Sequence, residues 1–353
     1  MKLGYLRFLL CLIVLTFHSG LNTYGPLAVV IFFVISGYVN NHSLETKYQN
    51  NIRKFAIARL NRLAPDFLAC TILLTLFYIL LSSKNPSNLV ITDPKVKNLI
   101  HLGLPDILQI FIPQLYFNIK VPIFSYQMLL MPLYWSVLNE LTYYLLLGAI
   151  HKFIFRKRKQ VILAIGILGL ILNIYFAYLA QSDLGKWNSY IYFNCIAGLN
   201  FFLIGAYLNY TSKIRVAKLN YLSPIIILSY LFISSALLPR PENSFPLPRA
   251  FNLLLVSYFL TFLTCKYLAK FNNSPVKYLP SKLEKALAYY SYSIYVWQVL
   301  GFALYEYAIN YRFCNSLAIK NAFIRFLLVL IFSLGSALTF KKIFFGFKME
   351  RGT

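Results

Sequence analysis

Residues 7–18 read RFLLCLIVLTFH, an apolar run that begins at Arg7 and ends at His18. On an α-helix this run rises about 16 Å, so the arginine lies near one membrane surface and the histidine lies well across the bilayer. An imidazole is costly in hydrocarbon, and an ionisable group in a membrane helix indicates a functional site. The alternative is a structural histidine that hydrogen-bonds a neighbouring helix.

The composition identifies the environment of the whole chain. Of 353 residues, 59% are hydrophobic and 12% are charged, and the mean hydropathy is +0.63. Soluble globular domains carry about twice this share of charged residues. The sequence therefore predicts an all-α, polytopic integral membrane protein that forms one domain, residues 1–353, without an appended soluble domain.

Ten apolar runs are long enough to cross a hydrocarbon core of about 30 Å. They cover residues 5–22, 25–42, 66–83, 132–150, 160–180, 190–209, 221–238, 250–268, 287–305 and 322–340. About ten transmembrane helices are therefore expected. The five cysteines are scattered and include no CxxC pair, so they predict neither a disulfide framework nor a metal site.

The Lys and Arg residues alternate in density from one connecting segment to the next. The chain carries 34 Lys and Arg against 10 Asp and Glu, a net charge of +24. With both termini in the cytoplasm, the inner segments hold more than twice as many cations as the outer ones, in agreement with the positive-inside rule. The charge thus reflects membrane topology and lipid contact, and no nucleic acid partner is expected.

The predicted cytoplasmic loop 43–65 ends in RKFAIARLNRLAP, residues 53–65. Arg59 and Arg62 stand three apart, on one face of any helix, and Pro65 predicts a boundary before the third span. Guanidinium pairs suit bidentate recognition of phosphate, and phosphorylated cofactors are found on the cytoplasmic side. Anchoring to anionic lipid headgroups is the alternative explanation.

A carboxylate lies within the fourth span, in LYWSVLNELTYYLLL, residues 133–147. Glu140 is about 10 Å inside the outer surface, where a carboxylate is costly unless it is paired or protonated. His18 reaches a similar depth from the other side of the membrane. The two could form an acid–base pair in which the carboxylate orients the imidazole, or a structural pair that joins two helices.

Hydroxyl groups mark two further spans. GPLAVVIFFVISGYVN, residues 25–40, contains Ser36, and YSYSIYVWQ, residues 290–298, contains Tyr295 and Gln298. Small residues and hydroxyls commonly allow close packing of membrane helices. Packing therefore explains each serine taken singly.

Together these segments resemble the membrane-bound acyltransferase-3 family, whose bacterial members O-acylate cell-surface and secreted glycans. Arg7 and His18 have the family's R-x10-H spacing, FFVISGYV resembles its FF-x-x-SG-[FY] span, and RLNR resembles its RxxR loop. Trp135, Ser136 and Glu140 match WS-x-x-x-E. These matches occur in the family's order and cover nearly the whole chain.

The last motif departs from the family pattern. SYSIYVWQ resembles the SYxxYLxH ending, but Gln298 stands where the histidine is usual. An amide can hydrogen-bond but cannot titrate. Gln298 is therefore not expected to serve as a general acid or base.

The resemblance implies an O-acyltransferase, most often an O-acetyltransferase, in the inner membrane of a bacterium. It would move an acyl group from cytoplasmic acyl-CoA to a hydroxyl of an O-antigen, capsule or exopolysaccharide. His18 would act as general base or carry the acyl group transiently, with Glu140 orienting it. The remaining site residues are expected to contact the donor (Arg59, Arg62 and, near the cytoplasm, Arg7) or to contact substrate or pack helices (Ser36, Trp135, Ser136, Tyr295 and Gln298).

No permanently bound cofactor and no metal is expected. The alternative from another class is a transporter or flippase for lipid-linked sugars or acyl groups. Such a protein often shows paired repeats or broken spans in matching halves, and the sequence shows no such pairing.

Overall fold

The computed structural model describes residues 3–21, 25–84, 134–154, 157–180, 195–210, 249–272, 282–310 and 321–345. All regular elements in these ranges are helical. They are α1 (Leu3–His18), α2 (Gly25–Thr46), α3 (Ile52–Lys84), α4 (Tyr134–Phe153), α5 (Arg158–Ala180), α6 (Cys195–Tyr207, followed by a 3₁₀ turn, Leu208–Tyr210), α7 (Arg249–Asn272), α8 (Lys282–Asn310) and α9 (Ala322–Phe345).

The all-α prediction holds for these residues, and four helical stretches are long and apolar enough to cross a membrane. They are Gly25–Thr46, Ile52–Phe77, Arg158–Leu179 and Ala322–Ile343. The apolar run 221–238 lies outside the described residues. Ten spans and cytoplasmic termini therefore stay predictions.

The chain divides into two compact units. The first unit contains Met1–Leu60 and Asn139–Ala288, and the second contains Asn61–Leu138 and Tyr289–Thr353. Helices α3, α4 and α8 contribute residues to both.

Helix α2 is the central helix of the first unit. Its most apolar stretch is 72% buried, whereas that of α5 is 22% buried and exposes large apolar side chains. The α2–α6 crossing depends on two glycines. A Cβ on Gly37 would collide with the carbonyl of Phe202, and one on Gly205 would collide with the carbonyl of Val34. Close backbone approach through small residues is typical of membrane helix pairs.

The start of α1 is held by a buried carboxylate from α8. Glu284, which is 2% exposed, accepts a hydrogen bond of 3.1 Å from the backbone N–H of Gly4. Backbone N–H groups in the first turn have no partner within the helix, and a carboxylate there also complements the helix dipole. This contact anchors the helix that carries His18.

The predicted boundary at Pro65 is wrong, because α3 runs without a break from Ile52 to Lys84. Residues 52–65, interpreted as part of a loop, are helical. Proline removes one backbone donor but is tolerated in membrane helices when neighbouring groups bond the freed backbone. In the same turn, the hydroxyl of Tyr292 donates to the carbonyl of Leu63 at 2.9 Å, a contact from α8 to this part of α3.

Candidate active site

Glu140 is held in the first unit by two hydroxyl donors. Ser36 on α2 donates to Glu140 Oε1 at 2.6 Å, and the hydroxyl of Tyr144, one turn along α4, donates to the same oxygen. Asn40 supports Ser36 by donating to its Oγ at 3.0 Å. Two hydroxyl donors on one oxygen therefore fix the position of the Glu140 carboxyl group between α2 and α4.

His18 lies in the last turn of α1, and a Schellman motif ends the helix directly after it. The N–H of Leu21 donates to the carbonyl of Thr16 at 2.9 Å. The N–H of Gly20 donates to the carbonyl of Phe17 at 3.0 Å. Gly20 has a φ of +83°, the left-handed conformation that this cap requires. The cap therefore fixes the point at which the chain leaves the helix, one residue beyond His18.

The imidazole of His18 is half-buried and meets the ring of Phe17 edge to face, with 5.1 Å between centroids. His18 and Glu140 both belong to the first unit. Their direct contact stays a prediction. Arg7 is half-buried on the same helix, eleven residues before His18, and its predicted position on the donor side is also untested.

Arg59 is buried among aromatic rings. Its guanidinium carbon lies 5.0 Å from the ring centroid of Phe55 and 6.0 Å from those of Tyr48 and Tyr144. Its Nη2 donates to the hydroxyl of Ser43 at 3.0 Å. Cations over aromatic faces are stabilised by the ring quadrupole. Arg59 therefore lies against the ring of Tyr144, the tyrosine whose hydroxyl donates to Glu140.

Arg62 follows one turn later on α3 but belongs to the second unit. It is partly exposed, and it precedes the buried Asp66 by four positions, so the two lie on one face of α3. The sequence predicts that Arg59 and Arg62 share a helix face. Both lie on α3, but Arg59 packs among residues of the first unit, whereas Arg62 belongs to the second.

The two remaining motifs meet inside the second unit. The hydroxyls of Ser136 and Tyr295 are 2.9 Å apart. Trp135, which directly precedes Ser136 in the sequence, is buried. Gln298 is 1% exposed and donates to the carbonyl of Tyr295 at 2.9 Å. The amide of Gln298, at the position where the family usually has a histidine, therefore hydrogen-bonds the backbone of its own helix.

The comparison with protein families gives one match: the acyltransferase domain model of the acyltransferase-3 family covers residues 2–342. The chain belongs to the acyltransferase-3 family. It is an enzyme that transfers acyl groups other than aminoacyl groups, and the family supports O-acyl transfer broadly. No curated protein and no solved structure matches it.

This acyltransferase has a second polar cluster where several helices of the first unit end. His151, beyond the predicted span 132–150, contacts Asn50 at 2.8 Å and Asn41 at 2.7 Å. Burial, and secondarily the charge of Arg158, lowers the pKa of His151 to about 4. A neutral imidazole can donate to only one of two partners. Because the Asn41 amide nitrogen donates to the carbonyl of Ala206, Asn41 Oδ1 is the atom that faces Nε2 of His151.

Sequence reasoning missed four residues of the acyltransferase that contact its predicted site residues or motifs. Tyr144 and Asn40 lie in the quoted motifs without an assigned role. Asp66 is the first residue of the predicted span 66–83, also without a role, and Lys341 follows the predicted span 322–340 as part of the tail. For Tyr144 a signal existed, since it follows Glu140 by four positions and so shares its helix face. Asp66 and Lys341 are 275 positions apart, and no local pattern connects them.

Proposed function

We propose that the enzyme is an O-acyltransferase that moves an acetyl or other short acyl group from acyl-CoA to a hydroxyl of a cell-surface or exported glycan. The observation that carries this proposal is the carboxyl group of Glu140, held by hydrogen bonds from Ser36 and Tyr144 in the same unit as His18. Membership of the acyltransferase-3 family supports it.

In this proposal the acceptor hydroxyl attacks the carbonyl carbon of the thioester. His18 takes the hydroxyl proton as the new C–O bond forms, the C–S bond breaks, and the CoA thiolate leaves. Glu140 orients His18 or stabilises its imidazolium form. In the alternative route His18 itself accepts the acyl group and passes it to the glycan in a second displacement.

The proposed topology places both termini in the cytoplasm, with about ten spans in the inner membrane of a bacterium. Acyl-CoA would dock from the cytoplasm, and its phosphates would meet the guanidinium groups of Arg59 and Arg62. The glycan would enter from the outer side. Contacts in the first unit are consistent with this sidedness, because the end of α2 and the start of α5, both predicted to be cytoplasmic, form the Glu45–Arg158 ion pair at 3.0 Å.

The first prediction tests the general base. His18→Ala should lower transfer from labelled acetyl-CoA by roughly a hundredfold or more, because general-base catalysis contributes at least this much. His42→Ala is the matched control, since His42 is an exposed histidine of α2 whose ring stacks on Tyr38. A folded His18→Ala enzyme with full activity would contradict the proposal.

The proposed glycan acceptor can be tested by looking for the acyl group on the surface polysaccharide. Mass spectrometry of surface polysaccharide from cells with and without this chain should show one added acyl mass per modified repeat. Lost export or altered chain length with unchanged acylation would instead favour transport.

A further inference from the structure

A buried carboxylate organises the second unit. Asp66 on α3 is 2% exposed. Its Oδ2 accepts a hydrogen bond of 2.9 Å from the hydroxyl of Ser293, and its Oδ1 accepts one of 3.0 Å from the indole N–H of Trp297. Both donors lie on α8. Each oxygen of the carboxylate therefore already has a well-placed partner.

Lys341, near the end of α9, is a buried cation that is held loosely. It is 9% exposed, and its Nζ lies 3.7 Å from Asp66 Oδ2. Charge-assisted hydrogen bonds are shorter, about 2.8 Å. The same Nζ lies 3.3 Å from the carbonyl oxygen of Tyr289 and 3.3 Å from its ring centroid. An ammonium group has three protons to donate, and none of these contacts is a short bond to an anion.

The charges of this cluster do not balance. Arg62 precedes Asp66 by four positions on α3 and so lies on the same helix face, while Lys341 lies beside Asp66 from α9, so two cations share one carboxylate. No described residue forms an ion pair with Arg62. Burying an excess of like charge is costly unless an anion compensates it. The cluster is also reachable, because Arg62 is partly exposed and Tyr289 is 40% exposed.

We propose that Lys341 and Arg62 bind a phosphate group of the acyl-CoA donor, with Asp66 as the positioning residue that holds Lys341 beside Arg62. This inference rests on the proposed function, which supplies the donor. Arginine gives the phosphate a fork of donors, and lysine gives it a point charge. A bound phosphoryl oxygen would replace the long contact to Asp66 as the main partner of the ammonium group.

The test is CoA binding to the purified full-length protein in zwitterionic lipid nanodiscs. Lys341→Gln should weaken CoA binding about tenfold, and Lys341→Arg should restore most of it. Lys342→Gln is the matched control, because Lys342 is the exposed neighbour on the same helix. A pantetheine thioester without phosphates should bind with equal affinity to the wild type and to the three variants. Unchanged CoA affinity in Lys341→Gln would overturn the inference.

A double variant separates binding from structure. Asp66→Asn combined with Lys341→Gln removes both charges and leaves no unpaired buried ion, so it should fold even where the single variant does not. If Lys341 only neutralises Asp66, the double variant should bind CoA as the wild type does, and the inference fails. If Lys341 binds phosphate, the double variant should still bind CoA more weakly than the wild type does.

Two further outcomes are distinguishable. A wild-type protein that does not bind CoA would overturn the proposed donor as well as this site. Native mass spectrometry identifies the remaining source of phosphate: if Lys341→Gln loses bound anionic phospholipid but keeps its CoA affinity, the cluster is a lipid headgroup site and the donor assignment is wrong.

Discussion

Tyr144 connects the carboxylate and the buried arginine of the first unit. Its hydroxyl donates to Glu140, while its ring faces the guanidinium of Arg59 at 6.0 Å. One side chain thus contacts a predicted catalytic group with its polar end and a predicted donor-binding group with its face. The contact with Glu140 joins positions four apart on α4, whereas the contact with Arg59 does not follow from sequence spacing, because it requires α3 and α4 to pack together.

Tyr144→Phe should therefore lower kcat more than it changes KM. A hydrogen bond to a charged group contributes about 1.5–3 kcal/mol, which corresponds to roughly a tenfold to hundredfold loss of rate. The measurement is steady-state transfer of labelled acetyl. Tyr143→Phe is the control, since that neighbouring hydroxyl donates to the carbonyl of Cys195. Wild-type kcat in Tyr144→Phe would show that Ser36 alone holds the carboxylate.

At the level of single elements, the cap of α1 determines where His18 lies. The cap has a sequence signal, a glycine two residues after the histidine, yet the hydropathy pattern extends the helix to residue 22. Hydropathy measures the apolar length of a segment, whereas the end of a helix is set by backbone hydrogen bonds and by the conformation that Gly20 allows.

Gly20→Ala should destabilise the protein by about 1 kcal/mol, because an L side chain is strained at this positive φ. No atom lies within 4 Å of the added methyl group, so the effect would come from the backbone alone. Gly335→Ala on α9 adds the same methyl group into open space within a helix and should be neutral or stabilising. Thermal unfolding in detergent compares the two, and equal midpoints would contradict the role of the cap.

At the scale of the whole molecule, composition predicts a helical membrane protein but does not predict which helices contact each other. The apolar share of the chain predicts membrane helices, and the cost of ionisable groups in hydrocarbon selects His18 and Glu140 without any knowledge of packing. The bonds to Glu140 and the cluster around Asp66 depend on which helices are neighbours. Such contacts between distant positions leave no periodic signal in a single sequence.

The topology can be tested with introduced cysteines. Leu21→Cys, exposed at the end of α1, should react with an impermeant maleimide in intact spheroplasts. Lys47→Cys, exposed after α2, should react only after the inner membrane is opened. The parent chain is the control for background labelling, because its described cysteines are buried (Cys11 and Cys70) or partly buried (Cys195 and Cys265). The reverse pattern would place the termini outside and contradict the positive-inside assignment.

The continuity of α3 through Pro65 has a mechanical consequence. Proline cannot donate to the carbonyl four residues earlier, which belongs to Asn61. The missing bond lies in the turn from Asn61 to Pro65, directly after the point where the chain passes from the first unit to the second. The helix is therefore less stiff in this turn than a fully bonded helix would be, so α3 can bend there without any turn being unwound.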